Sequence, residues 1–315
     1  MNKENQMKSI SVKKMIEYFK FEEVNFPENE KKYITTSELN RPGIQLAGFF
    51  NYFAFERIQV IGKVEHFYLD TLYPDIRQQR FNKLFSYDIP CVIVSRNLDI
   101  YDEMLMAAEK YQIKILRSEH NTTHLISMLV GYLEDKLAPS LTLHGVLMDI
   151  YGVGVLITGK SGIGKSETAV ELIKRGHLLV ADDSVEIKRI GHESLSGTAP
   201  ELIKHMMEVR GIGLMDIKSL FGVGAIKEST QINLVIHLEE WDAQTSYDRL
   251  GLDDNYREIL GMKVNEVVIP IKPARNVALL IEIAARNFRQ KEMGYHAAKE
   301  FDKRLMSSLS IQEED

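Results

Sequence analysis

The sequence predicts an α/β protein in two parts, a small parallel α/β domain over residues 1–135 and a phosphate-loop domain over residues 136–315. Three observations predict it. Residues 91–137 alternate apolar strand, helix, apolar strand and helix, the rhythm of a parallel sheet with crossover helices. The composition turns to strands around Leu133 to Pro139, where Leu137-Ala138-Pro139-Ser140 closes a long helix. Gly159-Lys160-Ser161-Gly162-Ile163-Gly164-Lys165-Ser166 then satisfies G-x-x-x-x-G-K-[ST] at every fixed position.

Taken in order, Val12, Met15, Ile16 and Phe19 fall at helical spacing and predict a helix over Ser11 to Phe19. Asn25 to Lys32 is polar around Pro27 and reads as a turn, and Ser37 to Arg41 is a short element stopped by Pro42-Gly43. The aromatic run Gly48 to Phe55 reads as core packing or a packed loop in preference to a binding stripe. Ile58 to Ile61 is strand-like and Thr71 to Leu84 helical. Cys91 to Ser95 and Ile113 to Leu116 are apolar strands, and Ile100 to Lys110 and Asn121 to Leu137 are helices.

In the second part, Leu141 to His144, Gly145 to Ile150 and Val153 to Thr158 are strands close enough to form a hairpin or meander. The phosphate loop follows, and Glu167 to Arg175 is a helix closed by Gly176. His177 to Ala181 is a buried strand ending in Asp182-Asp183, and Val185 to Ile190 is another. Glu201 to Val209 reads as helical or irregular. Leu234 to Leu238 is a strand interrupted by the charges of Glu239-Glu240, and Val264 to Ile271 is a strand bounded by Pro270 and Pro273. Asn276 to Glu292 is the longest helix, and Ser307 to Asp315 reads as a frayed polar tail.

The totals narrow the function classes. Lys plus Arg is 39 and Asp plus Glu 45, for a formal charge of −6, so no generally basic surface for nucleic acid is implied. Cys91, the single cysteine, sits in Cys91-Val92-Ile93-Val94 and reads as strand core; no internal disulfide is possible. Met1 to Lys8 is polar with no apolar stretch after it, and no apolar run is long enough to span a bilayer, so a cytoplasmic protein without a membrane partner is expected. There is no H-E-x-x-H spacing, no cysteine pair and no G-x-S-x-G elbow. Trp241 stands alone beside acids and is not a stacking platform for bases.

The chemistry gathers around the loop. Its glycines let successive backbone N–H groups turn toward phosphate oxygens, and the helix N-terminus adds its positive end. Lys165 is placed to reach terminal phosphates, and Ser166 to offer its hydroxyl to Mg2+. Asp182-Asp183 ends a buried strand shortly afterwards, where such sheets bind ligands; one carboxylate suits a metal, the other a proton from an incoming hydroxyl. His144 has the pKa range for proton transfer or phosphate contact, though a structural histidine is the plainer reading of it alone. Glu208 and Arg210 beside glycines fit a second metal ligand or a charge clamp, or else a surface bridge. Arg249, Lys272, Arg275 and Asn276 lie near glycine or proline turns and are of types that bind anions.

Together these residues resemble the bacterial HPr kinase/phosphorylase family over essentially the whole chain. The resemblance rests on His144-Gly145, the phosphate loop, Leu178 to Asp183, Glu208-Val209-Arg210-Gly211-Ile212-Gly213-Leu214-Met215-Asp216-Ile217 with Phe221-Gly222, and Arg275-Asn276. It implies a phosphoenolpyruvate-carboxykinase-like core in the second domain and a bifunctional enzyme. Such an enzyme phosphorylates a serine of the phosphocarrier protein HPr with ATP or pyrophosphate, and removes the phosphate with inorganic phosphate as acceptor. By the same resemblance Asp182 is general base and, in reverse, general acid. His144 assists at the phosphates, Lys165 neutralises them, and Ser166, Asp183 and Glu208 form the Mg2+ neighbourhood. Arg249 matches a position linked to phosphorolysis, and Arg275 one near the nucleotide. A homohexamer, control by a sugar bisphosphate and a place in carbon catabolite repression are further implications. Three rivals fit the loop as well. A small-metabolite kinase would transfer phosphate to a small acid or alcohol, a nucleotide switch would give no phosphoprotein, and a nucleic-acid-dependent ATPase would need nucleic acid for stimulation.

Overall fold

The computed structural model describes residues 9–27, 32–191, 193–242, 244, 255–272 and 275–312. They fall into two compact units that divide at Pro139/Ser140, each a mixed α/β assembly with more than one sheet. Among the described residues no helix is long and apolar enough to cross a membrane.

The first unit is built on a five-stranded sheet. Leu39–Asn40, Ile58–Ile61, Val92–Val94 and Ile115–Arg117 run parallel as successive neighbours, and Glu22–Glu23 pairs antiparallel with the last. Alternation along these strands divides the core in two. Ile61, Val92, Val94 and Ile115 meet Leu69 of the helix Lys63–Asp70, Phe81 and Phe85 of Pro74–Phe85, and Met104 of Asp102–Tyr111. Ile58, Val60, Ile93 and Leu116 meet Met15 of the helix Val12–Phe19 and Leu125, Leu129 and Leu133 of Thr122–Leu137. Cys91 is fully buried in the second cluster, and burial pushes its thiol up to about 12, which makes it core packing and not a nucleophile.

One local expectation changes here and one holds. The single helix expected over Thr71 to Leu84 is the second of two, Lys63–Asp70 and Pro74–Phe85. Pro74 is compatible with the first turn of a new helix but not with the interior of a continuing one. The aromatic run is a loop packed on one side. Phe50 and Phe53 lie against Tyr87 at ring-centroid distances of 5.7 and 5.0 Å, while Phe49 and Tyr52 are exposed.

In the second unit a six-stranded sheet has the spatial order Leu178–Ala181, Val146–Ile150, Val153–Gly159, Leu234–Glu240, Met262–Ile271, Asn255–Ile259. Val153–Gly159, Leu234–Glu240 and Met262–Ile271 are parallel. Val146–Ile150 forms a hairpin with Val153–Gly159 through Tyr151 and Gly152, both at positive φ (55° and 81°), the geometry of a two-residue hairpin turn. Ser140–His144, which sequence alone groups with that hairpin or meander, leaves it at Gly145. It pairs with Ser184–Ile190 in a second, four-stranded antiparallel sheet completed by Ser194–Thr198 and Ser229–Gln231. Leu147, Leu156, Val180, Val185, Leu195 and Val235 pack between the two sheets. The opposite face of the larger sheet is covered by the helices Lys165–Lys174 and Val277–Glu292, through Leu172, Ala278, Ile281 and Ala285.

The segment Glu201 to Val209 is neither helical nor irregular throughout. A 3-10 turn at Glu201–Ile203 leads into the strand Met206–Val209, which pairs with Gly213–Asp216. Met207 and Val209 are buried while Glu208 and Arg210 are exposed, a period of two too short to outweigh the neighbouring glycines. The strand at Leu234 runs on through Glu239-Glu240, because their backbones pair with Pro270 and Ile271 whatever their side-chain charge. Pro270 thus lies inside its strand, past the stretch that Asn255–Ile259 covers, where the missing N–H costs no ladder bond. The expected polar tail is largely helical, as the helix Ala297–Gln312.

Candidate active site

The central strand Val153–Gly159 delivers the phosphate loop, and the helix Lys165–Lys174 receives it. Gly159 (φ +146°) packs so closely on the next strand that a Cβ would stand 2.5 Å from the Leu238 carbonyl oxygen. Ile163 anchors the loop against the helix-side core. Lys165 is 6% exposed, and its Nζ donates to the carbonyl oxygens of Gly159 and Lys160, each at 3.1 Å. Burial pulls its pKa below the usual lysine range, although the carboxylates of Asp182 and Asp183 work against that. The ammonium group therefore lies folded onto the loop with hydrogen bonds that a phosphate can replace.

Leu178–Ala181 ends directly at the two aspartates, which take different surroundings. Asp182 is 3% exposed and accepts hydrogen bonds from Ser166 Oγ (3.0 and 3.2 Å to its two oxygens) and from the Glu208 backbone N–H (3.2 Å). Burial raises its pKa above the usual carboxylate range, and those bonds only partly oppose it. Asp183 adopts a left-handed backbone (φ +64°), is largely exposed, and places Oδ1 3.0 Å from His144 Nδ1. His144 reaches it because Ser140–His144 pairs with Ser184–Ile190 in a register that sets His144 opposite Ser184.

The hairpin Met206–Val209/Gly213–Asp216 lies beside the loop. Its Glu208 supplies the N–H to Asp182, and among the described residues the Glu208 carboxylate has no hydrogen bond or ion pair. Arg210 Nη2 donates to Ser161 Oγ at 3.2 Å. A Cβ on Gly162 would come within 2.6 Å of Arg210 Nη1. The structure thus brings Lys165, Ser166, Asp182, Asp183, His144, Glu208 and Arg210 to one end of the sheet. Arg275 instead donates to the Pro270 carbonyl oxygen at 2.7 Å, at the entry to the helix Val277–Glu292. Arg249 lies outside the described residues.

Sequence reasoning missed one supporting contact. Arg257, on the edge strand, reaches Thr158 Oγ1 at 2.9 Å, the residue immediately before Gly159, and pairs with Glu266 at 2.5 Å. The partners are 99 and 9 positions away, so no local pattern marks the arginine.

The donor set fits magnesium. Ser166 Oγ is a hard oxygen at the foot of the phosphate loop, and the carboxylates of Asp183 and Glu208 stand on the adjoining strand end and hairpin. Magnesium retains several waters and binds through one or two protein oxygens together with substrate phosphates. Among the described residues no group of three or more His, Cys, Asp and Glu is placed to hold a metal ion. Of the two carboxylates expected around the metal, Asp183 is turned toward His144 and Glu208 is exposed, whereas Asp182, expected as the proton acceptor, is the one in contact with Ser166.

Comparison with known proteins covers both units. The model of the HPr serine kinase N terminus matches residues 10–133, and that of the HPr serine kinase C-terminal domain residues 135–305. The HPr kinase/phosphorylase of Alkaliphilus metalliredigens is 70% identical over 303 residues, 96% of this chain and 98% of that one. Its counterpart from Caldanaerobacter subterraneus is 50% identical over 96% of this chain and 99% of its own. A solved structure of the Hpr(Ser) kinase/phosphatase from Coxiella burnetii, 36% identical with a TM-score of 0.45, covers 49% of this chain and 99% of its own. With both domain models matched in order and such identities over nearly full length, the chain belongs to the HPr kinase/phosphorylase family.

Proposed function

We propose that this protein transfers the terminal phosphoryl group of ATP or pyrophosphate to a serine of HPr. In the opposite direction it passes that group to inorganic phosphate and releases pyrophosphate. The observation that carries the reading is Asp182, a buried carboxylate of raised pKa hydrogen-bonded to Ser166 at the foot of a phosphate loop. A carboxylate so placed is a stronger base than an ordinary aspartate, which suits it to accept a proton.

In the forward direction Asp182 accepts the proton of the serine hydroxyl as the serine Oγ–P bond forms and the bond from phosphorus to the leaving phosphate oxygen breaks. In reverse an oxygen of inorganic phosphate attacks, the P–Oγ bond breaks, and the proton on Asp182 returns to Oγ. One carboxylate serves both directions by microscopic reversibility. Lys165 exchanges its bonds to Gly159 and Lys160 for phosphate oxygens. His144, held by Asp183, contributes a further donor at the exposed side of the site. Ser166, with Asp183 and Glu208 nearby, would hold magnesium, which would supply charge neutralisation to the phosphates. Homohexameric assembly, control by a sugar bisphosphate, a cytoplasmic location and a role in carbon catabolite repression belong to the same proposal and rest on family membership.

The test is mass spectrometry of purified HPr incubated with the protein, magnesium and ATP, then with excess inorganic phosphate and an assay for pyrophosphate. A serine phosphate that forms and is removed with pyrophosphate release is the expected result. HPr that stays unmodified while ATP demonstrably binds would overturn the assignment.

A further inference from the structure

We propose that a cavity in the first unit is a ligand site, and that it takes a small molecule with an apolar, ring-sized body and a single carboxylate. The inference does not depend on the phosphoryl-transfer reading, whose residues all lie in the second unit.

The cavity, of about 290 Å³, lies between the helix Val12–Phe19, the turn at Phe26-Pro27, and Pro90 and Lys114. It sits at the amino ends of the parallel strands Val92–Val94 and Ile115–Arg117. Its size is at the lower end of the roughly 300 to 1,000 Å³ of small-molecule sites, which suits a single ring with a short chain. Val12 and Ile16, one helical turn apart, line it together with Pro27 and Pro90. Phe26 lines it too, yet is 74% exposed, an aromatic face that the fold leaves in water.

Backbone bonds fix these segments before any ligand arrives. The Val12 N–H donates to the Lys32 carbonyl oxygen at 3.0 Å, and the Val24 N–H to that of Ile115 at 3.0 Å. The Asn25 side chain donates to the Ile113 carbonyl oxygen and accepts from the Ile115 N–H, both at 2.8 Å. A cavity so held binds without first paying to order its walls.

Charge selects the ligand. The Lys114 side chain is 7% exposed, and its Nζ donates to the Asn25 carbonyl oxygen at 2.8 Å, pairs with Glu23 at 2.5 Å and stands 4.6 Å from the centre of the Phe26 ring. An ammonium carries three N–H donors, and among the described residues no third oxygen lies against this one. The other charges of the lining are balanced or in water. Glu23 is committed to Lys114, Lys32 is paired with Asp88, and Glu17 is exposed one helical turn from Lys13. The buried charge is therefore positive, and one such cation matches one carboxylate better than a polyanion. A ligand carboxylate meets the third donor of Lys114 while its body displaces water from Val12, Ile16 and Phe26.

The experiment follows the methyl resonances of Val12 and Ile16 in the full chain during titration with three probes of one shared body: phenylpropionate, phenylpropanol and phenylpropylamine. Phenylpropionate is expected to shift both residues and to bind about tenfold more tightly than the alcohol, with the amine weakest. Lys114→Met should erase the preference for the acid and leave the alcohol within about twofold of wild type. Phe26→Ala, which removes an exposed ring and spares the core, should weaken all three probes by about threefold or more. Val12 and Ile16 methyls that stay in place at about 10 mM phenylpropionate would overturn the proposal, since a ligand of this size binds a real site more tightly than that. An acid that binds no better than the alcohol or the amine, a preference that survives Lys114→Met, or affinities untouched by Phe26→Ala would overturn it as well. Should Lys114→Met fail to fold, the ratio of acid to amine on the wild type and the Phe26→Ala comparison decide the question.

Discussion

Replacing Asp182 with asparagine should separate activity from stability in opposite directions. An asparagine keeps the shape and an oxygen able to accept from Ser166 Oγ or the Glu208 N–H, but it cannot take a proton from a serine hydroxyl. A positioned general base is worth about 10² to 10⁴ in rate, or roughly 3 to 5 kcal/mol, and both directions of transfer should fall by that order. Stability follows from the raised carboxyl pKa. Between the unfolded value near ~3.9 and the higher folded value, the native state binds more protons than the unfolded chain, so wild-type stability declines as pH rises through that window. The amide of the Asp182→Asn variant has no such titration. In acid the variant should be level with wild type or lower by about 1 kcal/mol for one hydrogen bond lost. With rising pH its relative stability should climb, each kcal/mol relieved adding about 2 to 4 °C to Tm. The assay is thermal unfolding of both proteins from pH 4 to 8 in chelator. A wild type that gains on the variant as pH rises would mean that hydrogen bonding outweighs burial at Asp182, and the argument for its basicity would fail.

Two further predictions concern the scaffold. Glu282 accepts from Tyr151 Oη (3.2 Å), Arg175 Nη1 (2.8 Å) and His177 Nε2 (2.9 Å). Burial pushes its carboxyl up, but these three donors outweigh it and hold the pKa below the usual range. The stability it confers is present above the unfolded carboxylate pKa and is lost as pH falls through the lower folded value. Glu282→Gln should therefore cost about 2 kcal/mol in urea unfolding at pH 7, with the gap closing in acid; a gap that is constant with pH would contradict it. At Gly154 a Cβ would stand 1.8 Å from the Gln231 carbonyl oxygen, a backbone atom. Gly154→Ala should cost about 3 kcal/mol or more, and a melting point within a degree or two of wild type would show that the strands can part there.

The phosphate loop is legible in the sequence because its whole requirement is local: glycines, a lysine and a serine at fixed spacing between a strand and a helix. Asp182-Asp183 is legible as a pair at a strand end, but not the difference between the two residues. That difference depends on the left-handed backbone of Asp183 and on a register shift between Leu179 and Ala181 against Val146–Ile150. The hairpin holding Glu208 and Arg210 escapes sequence reading for a related reason. Four residues of alternation ending in glycines give too short a period to distinguish strand from helix, and the pairing with Gly213–Asp216 decides it.

The separate roles of the two aspartates follow from where the sheets part. Ser140–His144 passes to the six-stranded sheet at Gly145, whose N–H bonds the Asp183 carbonyl oxygen at 3.1 Å. Leu178–Ala181 passes to the four-stranded sheet at Asp182-Asp183, with Ser184 opposite His144. The chain therefore crosses between sheets twice at one point, in segments about 40 residues apart. Asp182 still belongs to the buried end of the larger sheet and faces Ser166, where loss of solvent makes it basic. Asp183 has turned onto the smaller sheet, stays solvated and pairs with His144. Adjacent carboxylates in sequence thus acquire unlike surroundings without any difference in residue type, because a strand crossover at the sheet seam places one on each side of it.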